Sequence, residues 1–214
     1  GLASTPQQVR GNVLNVTAPN SYVTVSTAVN EVIGSAGAAS PGFVIADRDA
    51  LVIGASGVST VNSLITITAG EVSNGDLTGS GSINAGTNRV TLTNTRGGIT
   101  LASTTGQVRG LGVTVTSQDS VTLNTNVTDL TANVTSLTGT LTIREMDTLV
   151  MRNDVKTAGG AIDILAGQNA AGYMGGFGVV NAATGNVTLR NASGLVGLAS
   201  TPQQVRGNVL NVTA

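Results

Sequence analysis

The feature that most constrains this chain is its self-similarity. Residues 1–18, GLASTPQQVRGNVLNVTA, recur unchanged at 197–214, a period of 196 residues. A diverged copy lies midway, where Leu101-Ala102-Ser103-Thr104 leads into Gln107-Val108-Arg109-Gly110, the counterpart of Gln8-Val9-Arg10-Gly11 and Gln204-Val205-Arg206-Gly207. The half-period extends further: VTLTNTRGGITLAS at 90–103 aligns with VTLRNASGLVGLAS at 187–200, offset 97, with eight identities in fourteen. ITITAG at 65–70 falls on IDILAG at 162–167, and DRDALVI at 47–53 falls on EMDTLVM at 145–151, now at offset 98. Single-residue insertions in Gly-, Ser- or Asn-rich stretches account for the drift. The chain therefore reads as 1–18, the end of a repeat unit, followed by homologous units at 19–117 and 118–214. No Pro-rich or charged linker divides them, which favours one continuous rod of stacked elements.

Within each unit the dominant period is two. Segments such as Tyr22-Val23-Thr24-Val25-Ser26, and those at 64–68, 90–93, 113–116, 121–124, 141–144, 162–165 and 187–190, alternate Val, Ile or Leu with Thr, Ser or Asn. That is the pattern of strands with one dry face. Gly, Asn, Asp and Ser lie between them, the residues of tight turns. No segment carries a convincing 3.6-residue period, so no helix of consequence is expected. Strand-like segments return at the spacing of one coil in a parallel β-helix, about 20–25 residues. The core such coils enclose is narrow, which suits a chain with only two Tyr and two Phe. The expected fold is all-β: a right-handed parallel β-helix, or β-solenoid, of ten or eleven coils built from two homologous units of about 98 residues.

Composition narrows the function classes. The 214 residues include no Cys, His or Trp, which excludes thiolate nucleophiles, disulfides, Cys/His zinc sites and imidazole bases. Ten basic and eleven acidic residues leave a net charge of −1, with neither a nucleic-acid footprint nor a polybasic membrane patch. No window approaches 18 uninterrupted apolar residues, and the start has neither an initiator Met nor a signal peptide, so the sequence reads as an excerpt from something longer. The reading is non-enzymatic, with no catalytic residue, cofactor or metal, and with further copies of itself, stacked end to end, as the partner. Neither nucleic acid nor membrane insertion is expected.

The runs VTLTNTRGGITLAST, VTVTSQDSVTLNTNVTDLTANVTSLTGTLTIREMDTLV and GGAIDILAG resemble the repeat regions of large bacterial surface and secreted proteins of the filamentous haemagglutinin and autotransporter-adhesin type. The resemblance covers essentially the whole chain. It implies right-handed β-helical rods used as stalks, fibres, sheaths and adhesive surfaces, an extracellular or cell-surface setting, possible lateral contacts with other rods or surface glycans, and no catalytic residues.

Several residues stand out as structural or assembly candidates. Asp47 and Asp49 recur as Glu145 and Asp147; a turn or ion-pair role is favoured over Ca²⁺ binding, since the glycine-aspartate nonapeptides of Ca²⁺-binding β-rolls are missing. Arg10, Arg109 and Arg206 sit in the Gln-Val-Arg-Gly copies, where a guanidinium clamping a turn carbonyl or a carboxylate of a neighbouring coil is expected. Tyr173 and Phe177 concentrate half of the aromatics in AGYMGGFG at 171–178, read as an insertion-like exposed loop making lateral contacts. Thr-x-Thr pairs at Thr66/Thr68, Thr91/Thr93, Thr114/Thr116 and Thr140/Thr142 suggest an ice-binding solenoid face. Their aligned positions, Asp163/Leu165 and Thr188/Arg190, are expected to interrupt the ranks and count against it. A glycan-binding or polysaccharide-degrading β-helix is the alternative to a structural rod.

Overall fold

A computed structural model describes residues 8–198 and 205–214; the parts of the repeated segments at 1–7 and 199–204 lie outside the described residues. Among the described residues there is no helix, and every strand pairing is parallel. The chain is a β-solenoid. One column of partners runs Val13, Glu31, Val52, Thr78, Thr100, Thr122, Thr142, Asp163, Thr188 and Asn211, so nine turns separate its ends. The ten or eleven coils expected from the sequence are thus reduced. Turns are not uniform: the step from Val113 to its partner Leu130 is much shorter than that from Leu51 to Leu77, because corner loops absorb length while strands stay in register.

Each turn has three faces. Face 1 carries Val23–Thr27 of a longer strand, then Phe43–Asp47, Ile65–Ala69, Arg89–Asn94, Gly112–Ser117 and Asp129–Val134. Face 2 carries, from Leu51–Ile53 down, Leu77–Gly79, Ile99–Leu101, Val121–Leu123, Leu141–Glu145, Ile162–Ala166, Val187–Asn191 and Leu210–Thr213. Face 3 is shorter, with Val58, Ile83 and Val108 among its inward residues. The strands alternate buried and half-buried positions as period two requires.

Inward residues meet like residues above and below. Phe43, Ile65, Val90, Val113 and Leu130 form one buried rank, and Leu51, Leu77, Ile99, Val121, Leu141, Ile162 and Val187 another. Burying each such side chain contributes about 1.5–3 kcal/mol. The core is continuous across the 117/118 unit boundary, where Val108–Ser117 and Val121–Val134 pair from Val108↔Thr125 to Ser117↔Val134. These two strands, expected as separate four-residue pieces, run on around corners as strands of 10 and 14 residues.

The turn count and the 97-residue offset do not divide evenly. Ile65 lies on face 1, yet its aligned counterpart Ile162 lies on face 2, as does Val187 opposite Val90. The offset therefore spans four turns plus one face.

Candidate functional site

The recurring geometry of this solenoid is at its corners. Asp47 ends a face 1 strand and is fully buried. Its Oδ2 accepts from the Thr27 hydroxyl at 2.6 Å and the Val29 N–H at 3.1 Å, and its Oδ1 accepts from the Asp49 N–H at 2.9 Å. Glu145, its aligned counterpart, ends a face 2 strand and does the same work. Its Oε2 accepts from the Val127 N–H at 3.1 Å, and its Oε1 from the N–H groups of Met146 at 2.9 Å and Asp147 at 3.3 Å. Burial pushes the Glu145 carboxyl above its ordinary 4.5, although bonds from Thr125, Val127, Asp147 and Met146 oppose that rise. Asp49 and Asp147 contribute backbone: their carbonyls accept from Gly70 and Gly167 at 2.8 and 3.0 Å. Asp47 and Glu145 therefore each use one oxygen to tie their turn to the preceding one and the other to hold their own corner.

A second corner device is built on residues the sequence reading did not single out. Buried Asn94 donates from Nδ2 to the carbonyls of Gly75 at 2.9 Å and Gly98 at 2.8 Å, and its Oδ1 accepts from the Arg96 N–H at 3.1 Å. Asn191 repeats this at offset 97, donating to Gly172 and Leu195, both at 2.8 Å, and accepting from the Ser193 N–H. Gly70 and Gly167, both at φ +67°, lie against the two Asn Oδ1 atoms, and a Cβ at Gly70 would sit 2.7 Å from Asn94. The signal was present as the shared Asn of VTLTN and VTLRN, but alternation alone marks it only as one more inward position.

The three arginines of the Gln-Val-Arg-Gly copies are all exposed. Arg109 Nε donates to the Gly106 carbonyl at 2.7 Å, a turn carbonyl as expected but in its own corner rather than on a neighbouring coil. Inter-turn ion pairs are formed by Arg89, Arg152, Arg144 and Arg190. Asp129, nearly buried, accepts from Arg89 at 2.5 Å and Arg152 at 2.8 Å. On face 2, Asp163 accepts from Arg144 at 2.7 Å and Arg190 at 3.0 Å, bridging three successive turns. Partial burial would raise the Asp163 pKa, but the two guanidinium groups outweigh it and hold the carboxyl below its ordinary 3.8.

The glycine-rich stretch is not the loop expected. Tyr173–Gly176 is a strand on face 3, paired with Leu149–Met151 and Leu195–Leu198. The Tyr173 hydroxyl donates to the Gly197 carbonyl at 2.7 Å, so the ring lies along the sheet over small neighbours. Phe177 is different. Its N–H and that of Gly178 both donate to the Met151 carbonyl, at 3.1 and 2.8 Å, yet its ring is 81% exposed beside an open hollow with Asn153, Asp154 and Lys156.

Comparisons with protein-family models, with curated proteins and with solved structures give no match.

Proposed function

We propose that this chain is a non-enzymatic structural repeat of an extracellular fibre, stalk or sheath, lengthened by stacking turn on turn and by head-to-tail continuation with further copies of itself. The observation that carries the reading is that core and ladder continue to the last described turn. Leu210 and Val212 extend the inward rank of Val187 and Leu189 in register on the same parallel ladder. The identity of 1–18 and 197–214 supplies a matching continuation, and the resemblance to haemagglutinin-type repeats agrees with it. Stiffness follows from axial hydrogen bonds, a continuous aliphatic core and corner clamps of the Asp47 and Asn94 type.

The test is a chain carrying two blocks, with 19–214 repeated after residue 214. Small-angle scattering and negative-stain images should show one rod of about twice the length; nine turns at about 4.8 Å give about 43 Å for the single block. Two bodies moving independently would overturn the reading. A glycan-contacting rod is the second reading, favoured by Phe177: an exposed ring on a pinned backbone beside polar side chains is the usual make-up of a sugar platform. Loss of polysaccharide retention on Phe177→Ala, with melting temperature unchanged, would support it.

A further inference from the structure

The threonines of face 1 form a two-dimensional array. In register, Thr66, Thr91 and Thr114 make one rank and Thr68, Thr93 and Thr116 a second, over three successive turns. The ranks continue to Thr131 and Asn133 below, and to Val44 and Ala46, then Thr24 and Ser26, above. All six central threonines alternate with buried residues, point outward and are half-exposed. Among the described residues, no protein hydrogen bond engages their hydroxyls.

The interruptions expected from the sequence are absent from this face. Asp163, Leu165 and Arg190 align with Thr66, Thr68 and Thr93, but the offset of four turns plus one face carries them to face 2. Thr142, from the fourth pair, lies on face 2 as well, stacked on Thr122. The two ranks are consequently free of charge over six turns, about 24 Å along the axis. Charges only border them. Arg89 and Asp129 lie at the start of their face 1 segments and are paired with each other at the edge, and Lys156 lies one turn below Asn133.

We propose that face 1 binds ice. Parallel stacking repeats each rank about every 4.8 Å, and residues i and i+2 lie about 6.6 Å apart along a strand. These two spacings are close to the oxygen repeats along the a and c axes of hexagonal ice. Each threonine offers a hydroxyl that can take a lattice water's place and a methyl group that holds neighbouring water in a cage. The rigid β-branched side chain keeps both in position, so little side-chain freedom is lost on contact. Ionised groups would hold their own hydration shells against the lattice, and the two ranks present none. Face 2 serves as the internal control: it has single threonines at Thr78, Thr100, Thr122 and Thr142 but carries Arg144, Asp163 and Arg190 among its outward residues.

The experiment grows a single-crystal ice hemisphere in dilute fluorescent protein, using the 214-residue chain, and measures inhibition of ice recrystallisation in parallel. The unaltered chain is expected to enter the ice and slow recrystallisation. Thr91→Tyr, at the centre of the array, should reduce both at least tenfold, and Thr66→Lys one turn away should do the same, each with an unchanged circular dichroism spectrum. Thr122→Tyr on face 2 should leave both unchanged. Exclusion of the unaltered chain from ice overturns the proposal, as does a well-folded Thr91→Tyr that behaves like the unaltered chain. Retention on microcrystalline cellulose that Thr91→Tyr abolishes, without any entry into ice, overturns it in favour of a polysaccharide surface.

Discussion

Faces 1 and 2 are built from aligned sequence and differ in what they show to solvent. Ile65, Ile67 and Ala69 on face 1 correspond to Ile162, Ile164 and Ala166 on face 2, and Val90, Leu92 and Asn94 correspond to Val187, Leu189 and Asn191. Every one of these points inward and is buried. The positions between them diverge: Thr66 and Thr68 against Asp163 and Leu165, Thr91 and Thr93 against Thr188 and Arg190. Inward positions are held by stacking on the turns above and below, where one methylene too many or too few is felt. Outward positions meet only water and their neighbours in the rank, so a face can become uncharged or ion-paired without disturbing the stack. The difference teaches that in this molecule architecture and surface chemistry are written in alternate residues.

That contrast can be broken first at the core. Ile67→Ala and Ile164→Ala should each cost about 2–5 kcal/mol in urea unfolding, and by similar amounts, since both fill equivalent fully enclosed places. A loss confined to one of them would show that the two faces do not share one core. Next in size are Asn94→Ala and Asn191→Ala. Each strands two carbonyl acceptors at a corner, with an expected loss of about 1–3 kcal/mol measured the same way.

The two carboxylates of face 2 should respond to pH in opposite senses. The folded-state pKa of Glu145 is raised, so its favourable contribution is complete below 4.5 and is lost as pH rises through the raised value. Against Glu145→Gln, the unaltered chain should therefore lose relative stability between pH 4 and neutrality; a flat difference across that range would contradict a raised pKa. Asp163 is depressed, so its contribution is present above 3.8 and is lost as pH falls through the depressed value. Asp163→Asn should cost about 0.2–1 kcal/mol at pH 7, the range of solvent-screened pairs, and less in high salt. The smallest effect belongs to face 1, where Thr91→Val should change stability by less than about 0.5 kcal/mol because the side chain makes no protein hydrogen bond. Thermal melts would check all three.

Much of this was legible from residues alone. The alternation of Ile65-Thr66-Ile67-Thr68-Ala69 specifies a strand and its dry side, and the regular return of such segments specifies stacked coils. Corners were harder to read. Asp47 and Glu145 stood out because they recur, but whether a recurring carboxylate meets a cation, a metal or backbone N–H groups depends on what the adjacent turn places beside it. Asn94 and Asn191 look like ordinary strand-end polar residues until the carbonyls they satisfy, 19 residues back in both cases, are brought alongside. Tyr173 was misjudged because Gly on both sides suggests a loop, whereas flanking strands hold the segment flat and the glycines make room for the ring.

By itself the sequence determined the class of the fold, the inward and outward alternation along its strands, and the recurrence of like segments, because these depend on local periodicity and on identity at a fixed offset. The tertiary structure alone decided which outward residues share a face. That depends on the length of every corner loop between them, summed around the turns, and a remainder of one face in four turns separates threonine ranks from the charged residues that align with them.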